Sequence, residues 1–129
     1  MDIRSLNWSD VNKYRFKFIQ TVDSDFKDIT FIYPAKQPVV NELYKRFRDS
    51  RFVDTMYVFG SVTDIRCNVS SDIDVAVKLH PNYNTKEIRN RISEMIQSVC
   101  EWNADVIWIN DLKCDERLYH EIIGGVRVV

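Results

Sequence analysis

Glycine and proline are scarce in this 129-residue chain, with three of each. That argues against disorder and low complexity, and a hydrophobic content of 45% is enough to bury a real core. Cysteine is equally scarce. Cys67, Cys100 and Cys114 are odd in number and far apart, make no CxxC pair, and form no zinc pattern with His80 and His120. Three reduced thiols in a cytoplasmic protein are expected. An excess of one charge is also missing: 18 Lys and Arg stand against 19 Asp and Glu. General nucleic-acid binding is therefore not expected, since it needs a strong basic surplus. Nor is there a long apolar run after the polar start Met1-Asp2-Ile3-Arg4, so neither a signal peptide nor a membrane span is expected.

What is present fits one compact domain with no repeat and no linker. Between Lys13 and Phe18 basic and aromatic residues alternate, placing Tyr14, Phe16 and Phe18 on one strand face. A turn signal at Asp23-Ser24-Asp25 leads to a second strand over residues 26–33. A β-hairpin is favoured there over a helix capped by Ser9-Asp10. Pro38 opens a helix to about Asp49, with Val39, Val40, Leu43, Tyr44 and Phe47 on its apolar stripe. Strands follow at 53–59, 72–79 and 104–109. A helix capped by Thr85 carries Ile88, Ile92, Ile96 and Val99. A short helix over 115–123 stops at Gly124-Gly125, and residues 126–129 make a last strand. This order gives an α/β (α+β) fold, a single mixed sheet with helices packed on it. Residues 1–34 form an N-terminal extension and residues 35–129 the core domain.

Chemistry concentrates around the middle of the chain. Asp72 and Asp74, two apart on a strand, project from the same face about 7 Å apart at Cα. Adjacent carboxylates raise each other's pKa unless a cation lies between them, so the pair suits Mg²⁺ shared with substrate phosphates. Gly60-Ser61, at the end of the preceding strand, allows close backbone approach and adds a hydroxyl. A helix starting there would supply N–H groups to a phosphate. Asp105, early on the next strand, could complete the metal site or take a proton from an incoming hydroxyl. Asp111 and Asp115 compete for that place. His80 lies too far along the strand to be a ligand. Lys45, Arg46, Arg48 and Arg51 read as a solvated helix face, and Trp8, Trp102 and Trp108 as core or interface residues.

The pattern Gly60-Ser61, ten residues, Asp72-Ile73-Asp74 resembles the signature of the DNA polymerase β-like nucleotidyltransferase superfamily. The run Ser71-Asp72-Ile73-Asp74-Val75-Ala76-Val77 is especially similar to its Ser-Asp-Ile-Asp-Leu strand. Together with the short length and the C-terminal helix, glycines and strand, it resembles the minimal (MNT) branch over residues 39–129. The resemblance implies a nucleotidyltransferase-like fold in which Gly60 and Ser61 contact the phosphates of ATP or another nucleoside triphosphate. Asp72, Asp74 and Asp105 would hold Mg²⁺, one or two ions, and carry catalysis. It also implies transfer of a nucleoside monophosphate, AMP from ATP, to an acceptor hydroxyl. Residues 62–70 lack the small residue and the Arg-Gly that often follow the Ser, with Arg66 in a different register.

The minimal branch resembles the antitoxin half of HEPN/MNT toxin–antitoxin modules, which implies a helical HEPN-type protein as partner and acceptor. A second copy of the chain is the other candidate for presenting an acceptor. Two alternatives stay open: an antitoxin that neutralises by binding with little catalysis, and a small-molecule nucleotidyltransferase of the antibiotic-modifying type.

Overall fold

A computed structural model describes residues 15–16, 30–63 and 72–129. Two short strands, β1 (Arg15–Phe16) and β2 (Thr30–Phe31), pair antiparallel as a small sheet of their own. The rest of the expected N-terminal hairpin, and its helical competitor, lie outside the described residues, as do Arg66 and Trp8. Directly after β2 the chain joins the main body. Ile32 is fully buried in the core, and the Tyr33 N–H donates to the Val62 carbonyl at 2.9 Å.

The main sheet has four strands: β3 (Val53–Phe59), β4 (Ile73–Leu79), β5 (Ala104–Trp108) and β6 (Val126–Arg127). Their spatial order is β5-β4-β3-β6. β3 runs antiparallel to both β4 and β6, whereas β4 and β5 are parallel, so the sheet is mixed as expected. One face is covered by α1 (Gln37–Phe47) and α2 (Lys86–Val99). Val40, Leu43 and Phe47 of α1 and Ile92 and Ile96 of α2 meet Met56, Val58, Ile73, Val75, Val77 and Leu79 there. The other face is covered by the shorter α3 (Arg117–Ile123), whose buried Ile122 packs with Phe59, Ala76 and Ile109.

The local signals act as their chemistry dictates. Pro38 sits in the first turn of α1, where its missing N–H costs no helical hydrogen bond. The Thr85 hydroxyl caps α2 by accepting from the Ile88 N–H at 3.2 Å. β3 departs from simple alternation. Val53 pairs with Leu79 and Thr55 with Lys78, which leaves Asp54 as an extra residue. The bulge reverses the phase of the strand, so that Val53 and Met56 both face the core.

β4 opens at Ile73 rather than 72, and three further boundaries differ from expectation. Ile109 leaves the ladder for a 3₁₀ turn, Ile109–Asp111. There the Asn110 side chain accepts from the Leu79 N–H (2.9 Å) and donates to the Leu79 carbonyl (3.0 Å). The last helix starts at Arg117 rather than 115. β6 covers only Val126–Arg127, although Val128 and Val129 still donate to the Met56 carbonyl. Trp102 is also no core residue, being 72% exposed. Trp108 packs at the edge of the core beneath the Arg89 guanidinium.

Candidate active site

Strand directions bring the candidate residues to one end of the sheet. β3 finishes at Phe59 beside Asp74, its antiparallel partner, so Gly60 and Ser61 emerge next to the start of β4. β5 runs parallel to β4 and pairs Asp105 with Asp74. Partners across a ladder share a face. Asp74 and Asp105 therefore lie side by side, and Asp72, just before β4 opens at Ile73, is near enough for its charge to act on Asp74. Asp72 and Asp105 are exposed and Asp74 is half-buried.

Gly60 and Ser61 open a single 3₁₀ turn, Gly60–Thr63, and not a helix over the described residues. The turn is pinned from below. Val62 is fully buried, its carbonyl accepts from Tyr33, and the Thr63 hydroxyl donates back to the Gly60 carbonyl at 2.8 Å. Gly60 has φ +73°, and a Cβ there would stand 2.5 Å from Oδ2 of Asp74. Both facts require glycine: the left-handed backbone suits no other residue as well, and the Asp74 carboxylate occupies the space a side chain would need.

The crowding has an electrostatic result. Burial first, then the charge of Asp105, a hydrogen bond with Asp105 and the charge of Asp72 push the Asp74 carboxyl above its ordinary value. A carboxylate made costly by burial and by neighbouring acidic side chains is relieved when a cation binds beside it. Among the described residues no three His, Cys, Asp or Glu side chains already enclose an ion-sized space. Mg²⁺ does not need such a cage, because it keeps several waters and takes one or two carboxylates plus substrate oxygens. The all-oxygen donor set and the destabilised Asp74 fit that ion.

Two amide side chains hold β5 in place. Gln97 donates to the Ala104 carbonyl at 2.7 Å and accepts from its N–H at 3.3 Å, immediately before Asp105. Asn110 grips Leu79 at the far end. Asp111 is not near the pair. Arg89 holds it at 2.7 and 2.8 Å, and that contact lowers the Asp111 carboxyl below its ordinary value. Asp115, after β5 ends, is exposed and has no place in the ladder beside Asp74. His80 lies beyond the far end of β4, 3.8 Å from Asp54. The basic residues of α1 are exposed, and Arg46 pairs with Glu42.

Beside Asp74 lies an open cleft of about 540 Å³. Phe59, Gly60, Ser61, Thr63 and Asp74 form one side, and His120, Glu121 and Gly124 of the α3 end form the other. The second side escapes sequence reasoning, because α3 is adjacent to the Gly-Ser turn only in space. The one signal in the chain is Gly124-Gly125, which reads as a helix stop.

A family model described as "Polymerase beta, Nucleotidyltransferase" matches residues 41–129. The chain belongs to this nucleotidyltransferase family. Three solved toxin–antitoxin structures contain similar chains. One is a tri-AMPylated HEPN toxin in complex with MNT antitoxin from Shewanella oneidensis. It is 20% identical, with TM-score 0.52, over 73% of this chain and 71% of that one. A toxin–antitoxin with AMP-PNP gives 20% identity and TM-score 0.55 over 70% and 72%. The toxin–antitoxin MntA–HepT gives 19% and 0.51 over 72% and 71%. At these identities the likeness establishes a shared fold. No curated protein matches the sequence. The matched region of this nucleotidyltransferase-family chain contains Gly60, Ser61, Asp72, Asp74 and Asp105. Among its described residues no helix is long and apolar enough to cross a membrane.

Proposed function

We propose that this chain is a Mg²⁺-dependent nucleotidyltransferase that moves AMP from ATP to a hydroxyl of a partner protein, a helical toxin of the HEPN kind. The observation that carries the reading is the position of Asp74. It is wedged between the Gly60 backbone and the Asp105 carboxyl, with its proton affinity raised and a nucleotide-sized cleft at its side. Asp72, Asp74 and Asp105 would hold the cation, which when bound offsets charge on the entering and leaving oxygens.

The chain's own groups supply the rest. The Gly60–Thr63 turn seats the phosphates through its backbone and the Ser61 hydroxyl, and fixes the α-phosphate beside Asp74. Asp105, on the exposed side of the pair, takes the proton of the acceptor hydroxyl. The new bond forms between the acceptor oxygen and the α-phosphorus. The bond to the bridging oxygen breaks, and pyrophosphate leaves. The fold neighbours support a protein acceptor, since one of them holds an AMPylated HEPN toxin and another AMP-PNP.

The test mixes the chain with ATP labelled at the α-phosphate, Mg²⁺ and a helical protein of the HEPN kind. Label is expected on a hydroxyl side chain of the partner and is lost with Asp74→Asn. Inhibition of the partner without label, surviving Asp72→Ala and Asp74→Ala, would instead establish neutralisation by binding alone. Label on a free antibiotic with none on protein would establish small-molecule transfer.

A further inference from the structure

The wall opposite the Gly60–Ser61 turn is built into the fold. Ile122 is fully buried against the sheet, and Leu118 packs beside it. Just beyond the helix, a Cβ on Gly125 would stand 2.5 Å from the Val58 carbonyl oxygen and 2.7 Å from Cβ of Phe59. The Gly124 and Gly125 N–H groups close the helix end on the His120 and Ile122 carbonyls. The end of α3 is thus pressed onto β3 one residue away from the turn, which sets the height of His120 and Glu121 over the cleft.

The charge of that cleft is unfavourable for a polyphosphate. Its described lining carries two carboxylates, Asp74 and Glu121, and neither Lys nor Arg. Glu121 is partly neutralised by Arg117 at 3.3 Å, one turn earlier on the helix. The Ser61 and Thr63 hydroxyls are neutral, and the Thr63 hydroxyl is already given to the Gly60 carbonyl. Beside the Ser61 hydroxyl, the one side-chain nitrogen donor in the described lining is His120, an exposed imidazole whose ring lies edge-on to Tyr119.

On the reading above, the α-phosphate lies at Asp74. The two phosphates that leave as pyrophosphate then extend along the turn into the cleft, toward α3. We infer that His120 is a phosphate-contacting residue, donating a ring N–H to the departing pyrophosphate end of the nucleotide from the wall opposite Gly60–Ser61. It takes the place a basic residue would have in this lining. The inference rests on the nucleotidyltransferase reading and is narrower than it.

Calorimetric titration of the full chain with inorganic tripolyphosphate, AMP-PNP and AMP, each with Mg²⁺, tests it. His120→Ala should weaken tripolyphosphate and AMP-PNP binding about 10-fold, the scale of one charge-assisted hydrogen bond. AMP, which lacks the outer phosphates, should be within about 2-fold of the wild type. His120→Arg should keep tripolyphosphate binding within about 3-fold. His120 is exposed, so both variants should unfold thermally with the wild type. If the wild type binds tripolyphosphate and Asp74→Asn abolishes this, but His120→Ala binds normally, the role of His120 is overturned while the nucleotide reading stands. Equal weakening of AMP and tripolyphosphate would also overturn it, by placing His120 on the nucleoside. Binding of none of the three ligands by the wild type would remove the nucleotide reading and this inference together.

Discussion

Asp74 carries a conflict that the fold does not relieve. Its folded-state pKa is raised, so the native chain holds the proton at pH values where the unfolded chain has lost it. The native state then binds more protons than the unfolded state, and stability falls as pH rises from the ordinary carboxylate range through the raised value. Asp74→Asn should remove this fall, measured as the difference between variant and wild-type urea midpoints across pH. At neutral pH without Mg²⁺ the variant should be the more stable protein, with a higher urea midpoint than the wild type, while label transfer is lost. Asp111 acts in the opposite sense. Its carboxyl is lowered by Arg89, so its contribution is present above the ordinary carboxylate range and is lost on acidification. Glu101 and Trp102 store a second conflict at φ +54° and +65°, in the turn that feeds β5. Replacing Glu101 by Gly should raise stability by about 0.5–1 kcal/mol, read by thermal unfolding. Cys100 is quiet by comparison. Burial pushes its thiol up to about 11. A thiol reagent should therefore modify exposed Cys114 well before Cys100 in the native protein.

The elements differ in how far local sequence discloses them. The stripes of α1 and α2, the Thr85 cap and the alternation of β4 are written in neighbouring residues, so they are legible without coordinates. The Asp72–Asp74 pair shares that property, since positions two apart in an extended chain share a face, although the strand itself opens at Ile73. The bulge at Asp54 is not legible, because it is fixed by pairing with Leu79 some twenty-five residues away. The single 3₁₀ turn at Gly60 is likewise decided by contacts with Tyr33 and Asp74. The Gln97 and Asn110 clamps on β5 look like ordinary polar surface in sequence, and only the parallel β4–β5 pairing gives them work. Gln97→Ala should cost about 1–3 kcal/mol by leaving the Ala104 carbonyl short of a partner. It should also lower transfer by loosening the strand that carries Asp105.

At the scale of the whole molecule, the sheet is the device that assembles the site. Its strand directions gather three carboxylates and a glycine turn, distant in sequence, at one end, and the second helix layer adds the far wall of the cleft. The resemblance over residues 39–129 anticipates the first part, because the family motif lies on the strands themselves. It does not anticipate the wall, which depends on how α3 returns to β3. The main body also extends upstream of the matched region, since Ile32 is fully buried in the principal core. Ile32→Ala should cost about 2–5 kcal/mol in denaturant unfolding, as for any well-packed core position.

The account stands on the claim that Gly60, Ser61, Asp72, Asp74 and Asp105 form one nucleotide site that needs a cation. The most direct measurement is calorimetric titration of AMP-PNP into the chain with Mg²⁺ and with a chelator. The account predicts saturable binding that requires Mg²⁺, at one nucleotide per chain, and that is lost on Asp74→Asn even though this variant is the more stable protein. Binding of equal strength with chelator present, or unchanged by Asp74→Asn, would contradict it.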